Sequence, residues 1–407
     1  MKRQSLIQQI LRPNAWDAFN LLLLGFLIRI IIGTFTINWD FLRVTQLTAR
    51  LASEPLLEIY KDPLSLYPVL TYYTRYAFLA AAKPFLTSGF WSQIGEGDLA
   101  FISSDQIFRT LFILKLPFII LELATAYLFS RLFARKKQNQ VLFLWMINGI
   151  ALYTIAAFTN VDVFPIFFIV LSVYFLRKNR LNSSAFILGI ASAYKFFPIL
   201  ILPYLLFAQK KIKEKIRVLL FFILPFLGSQ IAMLTTDEYW KNSLLAQANR
   251  IIFAAKLDIG HGRNLLLFIV IYLFLYYFFI SDKTRNKKLE SYFFLALTPV
   301  FLVSAFNLQW AYWVLPVILC FSVLFPNEKP VNFFLYFSYF AIVFLSQTSL
   351  NIGMLSPIEP ALWTLDFKVG KFLGNETDFI LNIFYSIFSA SLAYISYKII
   401  RKGNAFK

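Results

Sequence analysis

The sequence predicts an all-α, polytopic membrane protein, and three observations lead to that prediction. Of the 407 residues, 59% are hydrophobic and only 15% are charged, a balance that is not typical of a soluble domain of this size. Apolar runs of about 20 residues, the length that crosses a bilayer as a helix, recur along the whole chain. The segments between them are short and basic, as cytoplasmic loops are. The net charge of +18 is therefore interpreted as membrane topology, and no nucleic-acid partner is predicted.

The positive charges set the predicted topology. Basic loops that belong on the cytoplasmic side, together with both termini, are 131–137, 177–180, 210–217 and 282–288. The apolar runs predict ten spans near 17–38, 103–133, 140–158, 161–177, 218–235, 264–281, 290–306, 309–325, 331–350 and 378–399. The whole chain, 1–407, is thus predicted to be a single transmembrane domain.

Residues 183–207 do not fit a simple span, because basic segments flank them on both sides. At 1.5 Å per residue, each arm of a hairpin would reach about 18 Å, which is less than the hydrocarbon core of about 30 Å. We therefore expect a hairpin of two short helices that meet near Lys195. With the ten spans, this hairpin brings the predicted total to about twelve membrane helices.

Three outer loops are predicted, at 39–102, 236–262 and 351–377. The first is too long for a turn. Its segment 64–86 mixes aromatic and aliphatic residues with Arg75 and Lys83, a pattern that suits a helix lying in the membrane interface.

Charged residues inside the predicted spans need partners or a function, because a central Arg or Lys costs roughly 2.5 to 3.5 kcal/mol to insert. These residues are Arg29, Lys115, Glu122, Asp162 and Lys195. Lys115 and Glu122 are seven residues apart and share a helix face, so an ion pair between them is one interpretation. Lys195 has no acidic residue in its own short helix. A lipid-linked phosphate is an external anion that such cations could bind.

Asp40 stands in the stretch "INWDFLRVTQ", directly after the first apolar run. A carboxylate beside a bound phosphate could accept a proton from an acceptor hydroxyl while nearby cations stabilise the departing phosphate. The alternative is that Asp40 only caps an outer helix.

Four stretches together carry a family resemblance. They are Asp40 after the first span, "IYKDPLSLYPVLTYY" (59–73), "WMINGIALYTIAAFTNVDVFPIFFIVLSVYFL" (145–176) with the following "ILGIASAYKFFPILILPYLL" (187–206), and "SAFNLQWAYWVLPVI" (304–318). In this order they resemble the GT-C membrane glycosyltransferases, especially polyprenyl-phosphate-mannose-dependent mannosyltransferases and the catalytic subunits of GPI mannosyltransferases. Gly149 and the turn Asn160-Val161-Asp162 depart from the family's pattern.

The resemblance implies a GT-C-like fold and an inverting transfer of a sugar, most often mannose, from a polyprenyl-phosphate donor to a lipid or glycan acceptor at the outer face. Asp40 would be the general base. The implied donor-phosphate ligands are Lys195, Arg29, His261 and Arg263. The implied substrate-binding residues are Tyr60, Tyr67, Asp162, Gln309, Trp310 and Trp313.

Plainer interpretations stand beside these roles. His261 and Arg263 could form a local hydrogen-bonded turn, and the tryptophans could be interfacial anchors. No cofactor is predicted, since nucleotide-loop and zinc motifs are absent from the sequence; a divalent cation between Asp40 and Asp162 remains an alternative. The expected location is a bacterial inner membrane with the site facing the periplasm, and the endoplasmic reticulum is the other possibility.

Two other classes of function remain open from the sequence. A transporter or flippase for a lipid-linked or anionic substrate also uses broken helices and buried charges. A noncatalytic membrane subunit would leave Asp40 and Lys195 without a chemical role. An outer cavity that joins Asp40, Lys195 and His261 would favour the enzyme.

Overall fold

A computed structural model describes residues 17–246, 250–365, 376–403 and 406. The described chain is mostly helical, as predicted, and contains one two-stranded sheet. Residues 1–16, parts of the predicted outer loops 236–262 (247–249) and 351–377 (366–375), and residues 404, 405 and 407 of the basic tail lie outside the described residues.

Six helices form the first part of the chain. They are α1 (Ala18–Thr34), α2 (Trp39–Arg50), α3 (Leu56–Tyr60), α4 (Val69–Ala82), α5 (Phe90–Glu96) and α6 (Asp98–Ile102), with a 3₁₀ turn at Lys83–Phe85. Asp17 begins α1, because its carboxylate accepts a hydrogen bond from the backbone N–H of Asn20 at 2.7 Å. The helix expected within 64–86 corresponds to α4, and its position in the membrane interface stays a prediction. The rest of 39–102 is also folded into helices, which the expectation of a loop with one helix did not anticipate.

The middle of the chain includes residues 183–207, for which the sequence predicts a hairpin of two short helices. Its elements are α7 (Ile107–Ser130), α8 (Arg135–Met146), α9 (Gly149–Ala151) continued by a π-helix (Leu152–Ala157), α10 (Val163–Arg177), α11 (Leu181–Tyr194), a 3₁₀ helix (Phe197–Ile201), α12 (Leu202–Phe207) and α13 (Ile212–Gly228). Lys195 has an extended backbone at φ −160° and ends α11. The helical path through 183–207 is therefore interrupted at Lys195; that this segment turns back within the membrane stays a prediction.

The last part of the chain adds a small hairpin and the closing helices. Its elements are α14 (Asp237–Tyr239) with a π-helix (Trp240–Leu244), a 3₁₀ helix (Ile251–Phe253), β1 (Lys256–Asp258), β2 (Asn264–Leu266), α15 (Leu267–Ser281), α16 (Arg285–Leu295), α17 (Thr298–Val303), a 3₁₀ helix (Leu308–Val314), α18 (Leu315–Leu324), α19 (Lys329–Leu345), 3₁₀ turns at Thr348–Leu350 and Ile352–Leu355, α20 (Ala361–Thr364) and α21 (Glu376–Lys402). Strands β1 and β2 are antiparallel.

Two of the described helices, α7 and α21, are each long and apolar enough to cross a membrane. Two bent pairs bring the number to four if each pair forms one span: α1 with α2, bent by 83°, and α8 with the helix Gly149–Ala157, bent by 47°. We treat α1 as the membrane segment and α2 as part of the outer region. The total of about twelve membrane helices stays a prediction.

Close helix packing and outward apolar faces suit a membrane environment. A Cβ atom at Gly189 of α11 would lie 2.2 Å from the backbone oxygen of Phe222 in α13, so only glycine lets these helices approach so closely. On the outside, large apolar side chains such as Leu224, Phe274 and Phe344 are 65%, 64% and 62% exposed. These faces are suited to contact lipid.

The buried charges pair differently from the interpretation above. Glu122 binds the guanidinium of Arg29 in α1, and both side chains are fully buried. Lys115 instead donates to the backbone oxygens of Thr36 at 2.7 Å and Ala157 at 3.1 Å. The prediction of an ion pair between Lys115 and Glu122 is therefore wrong. Seven residues span about 10 Å along a helix, so the two side chains are too far apart, whereas Arg29 reaches Glu122 from the neighbouring helix.

Candidate active site

One cavity of about 370 Å³ lies where several helices end. Its main lining segments follow the C-terminal ends of α1, the π-helix, α11, α17 and α19: they are 38–40, Phe158, 195–196, 306–310, 346–347 and 349–350. Residues 66–68, before α4, and Tyr385 of α21 complete the wall. Chain segments that are far apart in sequence thus meet at one end of the helical bundle.

Asp40 enters this cavity from the first turn of α2. The side chain of Asn38 accepts a hydrogen bond from the backbone N–H of Asp40 at 2.8 Å, so Asn38 is the cap of α2 and Asp40 is not. The carboxylate of Asp40 instead accepts a hydrogen bond from the hydroxyl of Tyr67 at 3.0 Å. One carboxylate oxygen is thereby held in place, and the other has no hydrogen-bond donor among the described residues.

A row of tyrosines holds Tyr67 in position. The hydroxyl of Tyr60 donates to the backbone oxygen of Tyr67 at 2.9 Å. The ring of Tyr60 packs edge-on against Tyr72 and Tyr239, with centroids 5.8 and 4.9 Å away. Tyr60 is fully buried and does not line the cavity, so its place in the structure is behind the site.

Burial and nearby charges act in opposite directions on Asp40. Burial raises the pKa of its carboxyl, while the hydrogen bond from Tyr67 and the positive charges of Lys195 and Arg75 lower it; burial has the larger effect, and the pKa lies above its ordinary value. Burial and the charge of Asp40 raise the pKa of Tyr67 well above its usual range, so this tyrosine keeps the proton that it donates. Burial lowers the pKa of Arg75 to about 10, and Arg75 therefore stays cationic at neutral pH.

Lys195 is the cation of the cavity. Its ammonium group lies 2.6 Å from the carboxylate of Asp162 and 5.6, 5.8 and 5.3 Å from the ring centroids of Tyr67, Trp310 and Trp313. The side chain is 15% exposed, whereas that of Asp162 is fully buried. Within the described chain the ammonium makes one hydrogen bond out of the three that it can donate, so it keeps donors for a ligand.

Asp162 lies behind Lys195 and does not face the cavity. Its second carboxylate oxygen accepts a hydrogen bond from the indole N–H of Trp313 at 2.9 Å. The turn that presents it contains Thr159 at φ 62°, a left-handed conformation that is costly for a β-branched residue and is found where function or packing fixes the backbone. The side chain of Asn160 accepts from the backbone N–H of Asp162 at 2.8 Å. The turn Asn160-Val161-Asp162, although it departs from the family's pattern, thus places the carboxylate of Asp162 beside Lys195.

The other departure from the family pattern has a packing reason. A Cβ atom at Gly149 would lie 2.6 Å from the ring of Phe340. Phe340 therefore occupies the space that a larger residue at position 149 would need.

An apolar groove of about 580 Å³ adjoins the cavity. Both spaces are bordered by Lys195, Phe196 and Trp310. The rest of the groove is lined mainly by apolar side chains of α13, of the 3₁₀ helix after α11, and by Leu234, Trp240, Leu244, Ile252, Phe253 and Phe268. Trp313 closes one side, stacked on Phe197 with ring centroids 3.8 Å apart. A polar cavity and an apolar groove thus meet at one lysine.

The structure brings only some of the predicted residues together. Asp40, Lys195, Tyr67, Gln309 and Trp310 line the cavity, and Trp313 lines the groove.

Three predicted phosphate ligands line neither space. Arg29 is buried with Glu122. His261 and Arg263 belong to the exposed turn between β1 and β2, where His261 has a φ of 54°. Of the three residues whose meeting in one cavity would favour an enzyme, Asp40 and Lys195 line the cavity and His261 does not.

Several cavity residues did not emerge from the sequence. They are the polar side chains beside helix ends, Asn38, Asn307, Ser346, Gln347 and Ser349, and Tyr385 within α21. A search for polar residues at the predicted outer end of each span would have found Asn38, Asn307 and Ser346, since each directly follows an apolar run, and Gln347 one residue further.

The cavity residues do not form a pair of metal ligands. Asp162 is fully buried and does not line the cavity, so Asp40 is the only carboxylate that lines it among the described residues. The described residues also contain no group of three or more His, Cys, Asp or Glu that could hold a metal ion. We assign no step to a divalent cation.

The fold and the cavity define a class, a helical membrane protein with a carboxylate and an ammonium in a polar cavity beside an apolar groove. The sequence profile of glycosyltransferase family 87 matches residues 107–315, about half of the chain, and the chain belongs to that family. A search of curated proteins finds no match. The matched region contains Asp162, Lys195 and Trp310 but begins after Asp40. The protein is therefore a membrane glycosyltransferase, which transfers a sugar from a donor to an acceptor.

Proposed function

We propose that this protein transfers a sugar, mannose, from a polyprenyl-phosphate donor to a hydroxyl of a lipid or glycan acceptor, with inversion at the sugar's anomeric carbon. One observation supports the proposal most directly: a carboxylate and an ammonium face one polar cavity, and an apolar groove begins at that same ammonium. A donor with a polar sugar, a phosphate and an apolar chain needs these three environments in this order.

The donor's prenyl chain would lie in the apolar groove, where burial of its methylene and methyl groups is favourable. Its phosphate would then meet Lys195 at the border of the two spaces. Trp310, which lines both spaces, would pack beside the phosphate or the sugar. The sugar would extend into the polar cavity, near Gln309.

Asp40 would act as the general base. In a single displacement, the acceptor oxygen forms a bond to the anomeric carbon while the bond from that carbon to the phosphate oxygen breaks. The acceptor's proton moves to the carboxylate of Asp40, and the polyprenyl phosphate leaves with the electron pair. Lys195 stabilises the charge that develops on the leaving phosphate.

The supporting residues have positioning roles in this proposal. Tyr67 orients the carboxylate of Asp40, Asp162 orients the ammonium of Lys195, and Tyr60 and Trp313 support these two. Lys115 fixes the backbone just before Asn38 through its bonds to Thr36 and Ala157. Arg29, His261 and Arg263 receive no role in donor binding.

The site would face the periplasm across a bacterial inner membrane. The cavity is lined by the ends of α1 and α19 that the pattern of basic loops assigns to the outer side. The family membership favours a transferase over a transporter or a noncatalytic subunit.

The test is sugar transfer by the purified protein, supplied with radiolabelled polyprenyl-phosphate mannose and a crude lipid extract as acceptor. We expect Asp40→Asn to reduce transfer by about 10²- to 10⁴-fold, the usual contribution of a general base, while donor binding persists. Asp105→Asn, at an exposed position outside the cavity, is the matched control and should transfer normally.

Two outcomes would contradict the proposal. Undiminished transfer by Asp40→Asn would remove Asp40 as the base. Donor binding without any transfer by the wild-type protein, across extracts from several bacteria, would contradict the assigned sugar donor.

A further inference from the structure

A second polar space, a cleft of about 650 Å³, lies between α2 and the helices α5 and α6. We call it the α2 cleft. Arg43, Gln46 and Arg50 line it from α2, and Trp91 and Asp98 line it from the other side. It shares no lining residue with the cavity of Asp40 or with the apolar groove, and neither the family match nor the proposed reaction assigns it a purpose.

The cleft and the proposed base lie along one strip of α2. From Asp40 to Arg50, the positions that are not buried are Asp40, Arg43, Gln46 and Arg50. Spacings of three and four residues keep side chains on neighbouring turns of one helix face. With a rise of 1.5 Å per residue, the strip runs about 15 Å from Asp40 to Arg50. An extended molecule on this strip could reach both the cleft and the base.

The charges of the cleft favour a neutral ligand. Arg43 pairs with Asp62 at 2.6 Å, and Arg50 pairs with Glu54 at 2.7 Å. The two cations are thus neutralised before any ligand arrives, and Asp98 adds a further negative charge. The charged groups of the cleft, with Asp98 included, therefore carry no net positive charge that would attract a phosphate or a carboxylate, and a neutral ligand suits the cleft better.

The remaining groups suit hydroxyl-rich molecules. The side-chain amide of Gln46 donates to Asp98 at 3.1 Å, and such paired amides and carboxylates still have free lone pairs. The Nε atom of Arg43 is buried without a hydrogen-bond partner in the described chain. Gly95 and Gly97 leave the wall open, because a Cβ atom at either would meet nothing within 4 Å. The half-buried ring of Trp91 offers a flat apolar surface beside these polar groups.

We propose that the α2 cleft binds sugar residues of the acceptor, so that the acceptor is a glycan several sugars long whose reacting hydroxyl lies at Asp40. The C–H face of one sugar ring would pack on Trp91, and its hydroxyl groups would bond to Gln46, Asp98 and Arg43. This inference rests on the proposed transfer reaction, since it places the acceptor relative to the proposed base.

The first test measures sugar binding without relying on catalysis. Full-length protein is labelled with 5-fluorotryptophan, and Trp91→Phe identifies the fluorine signal of Trp91. Mannotriose, maltotriose and cellotriose are then titrated up to roughly 10 mM, above the millimolar range that corresponds to about 4 kcal/mol of binding. We expect at least one trisaccharide to shift the Trp91 signal saturably, and Asp98→Asn to weaken that binding at least about tenfold, or 1.4 kcal/mol.

Trp363 provides the matched control, because it is also half-buried and lines neither the cleft nor the cavity. Its fluorine signal should stay unchanged during the titration. If all three trisaccharides leave the Trp91 signal unmoved, or if the signals of Trp91 and Trp363 move equally, the proposal is overturned.

The second test measures transfer to a glycan-bearing lipid acceptor. Trp91→Ala should raise the KM for the acceptor about tenfold with little change in kcat, and Trp363→Ala should change neither. An unchanged acceptor KM in Trp91→Ala would overturn the cleft as part of the acceptor site.

The two proposals fail in different ways. Asp40→Asn should reduce transfer by about 10²- to 10⁴-fold and keep the fluorine shift of Trp91. A saturable shift in a protein that transfers no sugar would contradict the proposed reaction and leave the cleft as a glycan site. Robust transfer with no shift and no change in acceptor KM would contradict the cleft alone.

Discussion

Two buried ion pairs in this protein have similar chemistry but very different surroundings. Arg29 and Glu122 are both fully buried, and the five N–H donors of the guanidinium bind the two carboxylate oxygens and the backbone oxygens of Gly25, Trp145 and Met146. Lys195 and Asp162 pair at 2.6 Å, but the lysine is 15% exposed and lines the cavity.

The difference between these two pairs shows how a cation that only stabilises the fold can be told from a cation that is available to bind a ligand. Every N–H donor of Arg29 already has an acceptor within the protein. Arg29 therefore holds α1 against α7 and α8 and has no donor left for a ligand. Lys195 is held from behind and keeps donors at the cavity. The number of unused donors, more than depth in the membrane, distinguishes the two cations.

The largest expected effect comes from breaking the structural pair. Glu122→Gln leaves the charge of Arg29 buried and uncompensated, and we expect a loss of about 3 to 5 kcal/mol of stability. Thermal unfolding in detergent, compared with the exposed control Glu96→Gln, measures it. Transfer per folded molecule should remain near that of the wild type. A fully stable Glu122→Gln protein would show that Arg29 does not depend on this partner.

Breaking the second pair should affect activity first. Lys195→Ala removes the proposed phosphate ligand, and we expect kcat/KM for the donor to fall about 10²- to 10³-fold, as for the loss of one charge-stabilising donor. The loss of stability should be smaller than for Glu122→Gln, because the shortened side chain lets cavity water reach Asp162. Transfer kinetics and unfolding of the same preparation test both statements. Normal donor kinetics would contradict the role of Lys195.

Exchanging the two types of cation gives a smaller, reciprocal effect. A lysine at position 29 has three donors for five acceptors, so Arg29→Lys should cost about 1 to 3 kcal/mol of stability through unsatisfied buried oxygens. Lys195→Arg keeps the charge next to Asp162. It should leave the thermal unfolding of the protein close to that of the wild type and lower the rate of sugar transfer. Equal losses of stability in Arg29→Lys and Lys195→Arg would contradict the interpretation that only the pair of Arg29 is structural.

The pH profile should show the smallest effect. Because the pKa of Asp40 lies above its ordinary value, transfer should fall, as pH is lowered, at a higher pH than an exposed aspartate would give. The charge of Lys195 lowers this pKa, so in Lys195→Ala the acidic limb of kcat/KM should move to still higher pH. In Arg29→Lys it should not move. A limb that is identical in Lys195→Ala and wild type would contradict the electrostatic contact between the two residues.

The sequence predicted well those features that depend on the order of segments along the chain. Asp40 follows an apolar run and Lys195 interrupts one, so a common location at the ends of helices could be expected from topology alone. The break at Lys195 was also visible, because two full spans do not fit between its basic flanks.

Features that depend on helix rotation and on packing across the bundle were not predictable. The partner of Glu122 could not be read from spacing, since Lys115 and Arg29 are both suitable cations and only the packing of α1 on α7 selects one. The exposed position of His261 and Arg263 depends on a short β-hairpin in a loop with no strong pattern. The α2 cleft depends on how α5 and α6 fold back on α2.

Lys195 and Trp310 border both the polar cavity and the apolar groove, and this shared border has a kinetic consequence for the proposed reaction. The spent polyprenyl phosphate would occupy the same groove and the same lysine as a fresh donor. It should therefore inhibit competitively against the donor, and turnover at high carrier concentrations would be limited by the exchange of one lipid for another. In a cell, removal and recycling of the carrier would then control the rate at which this enzyme works.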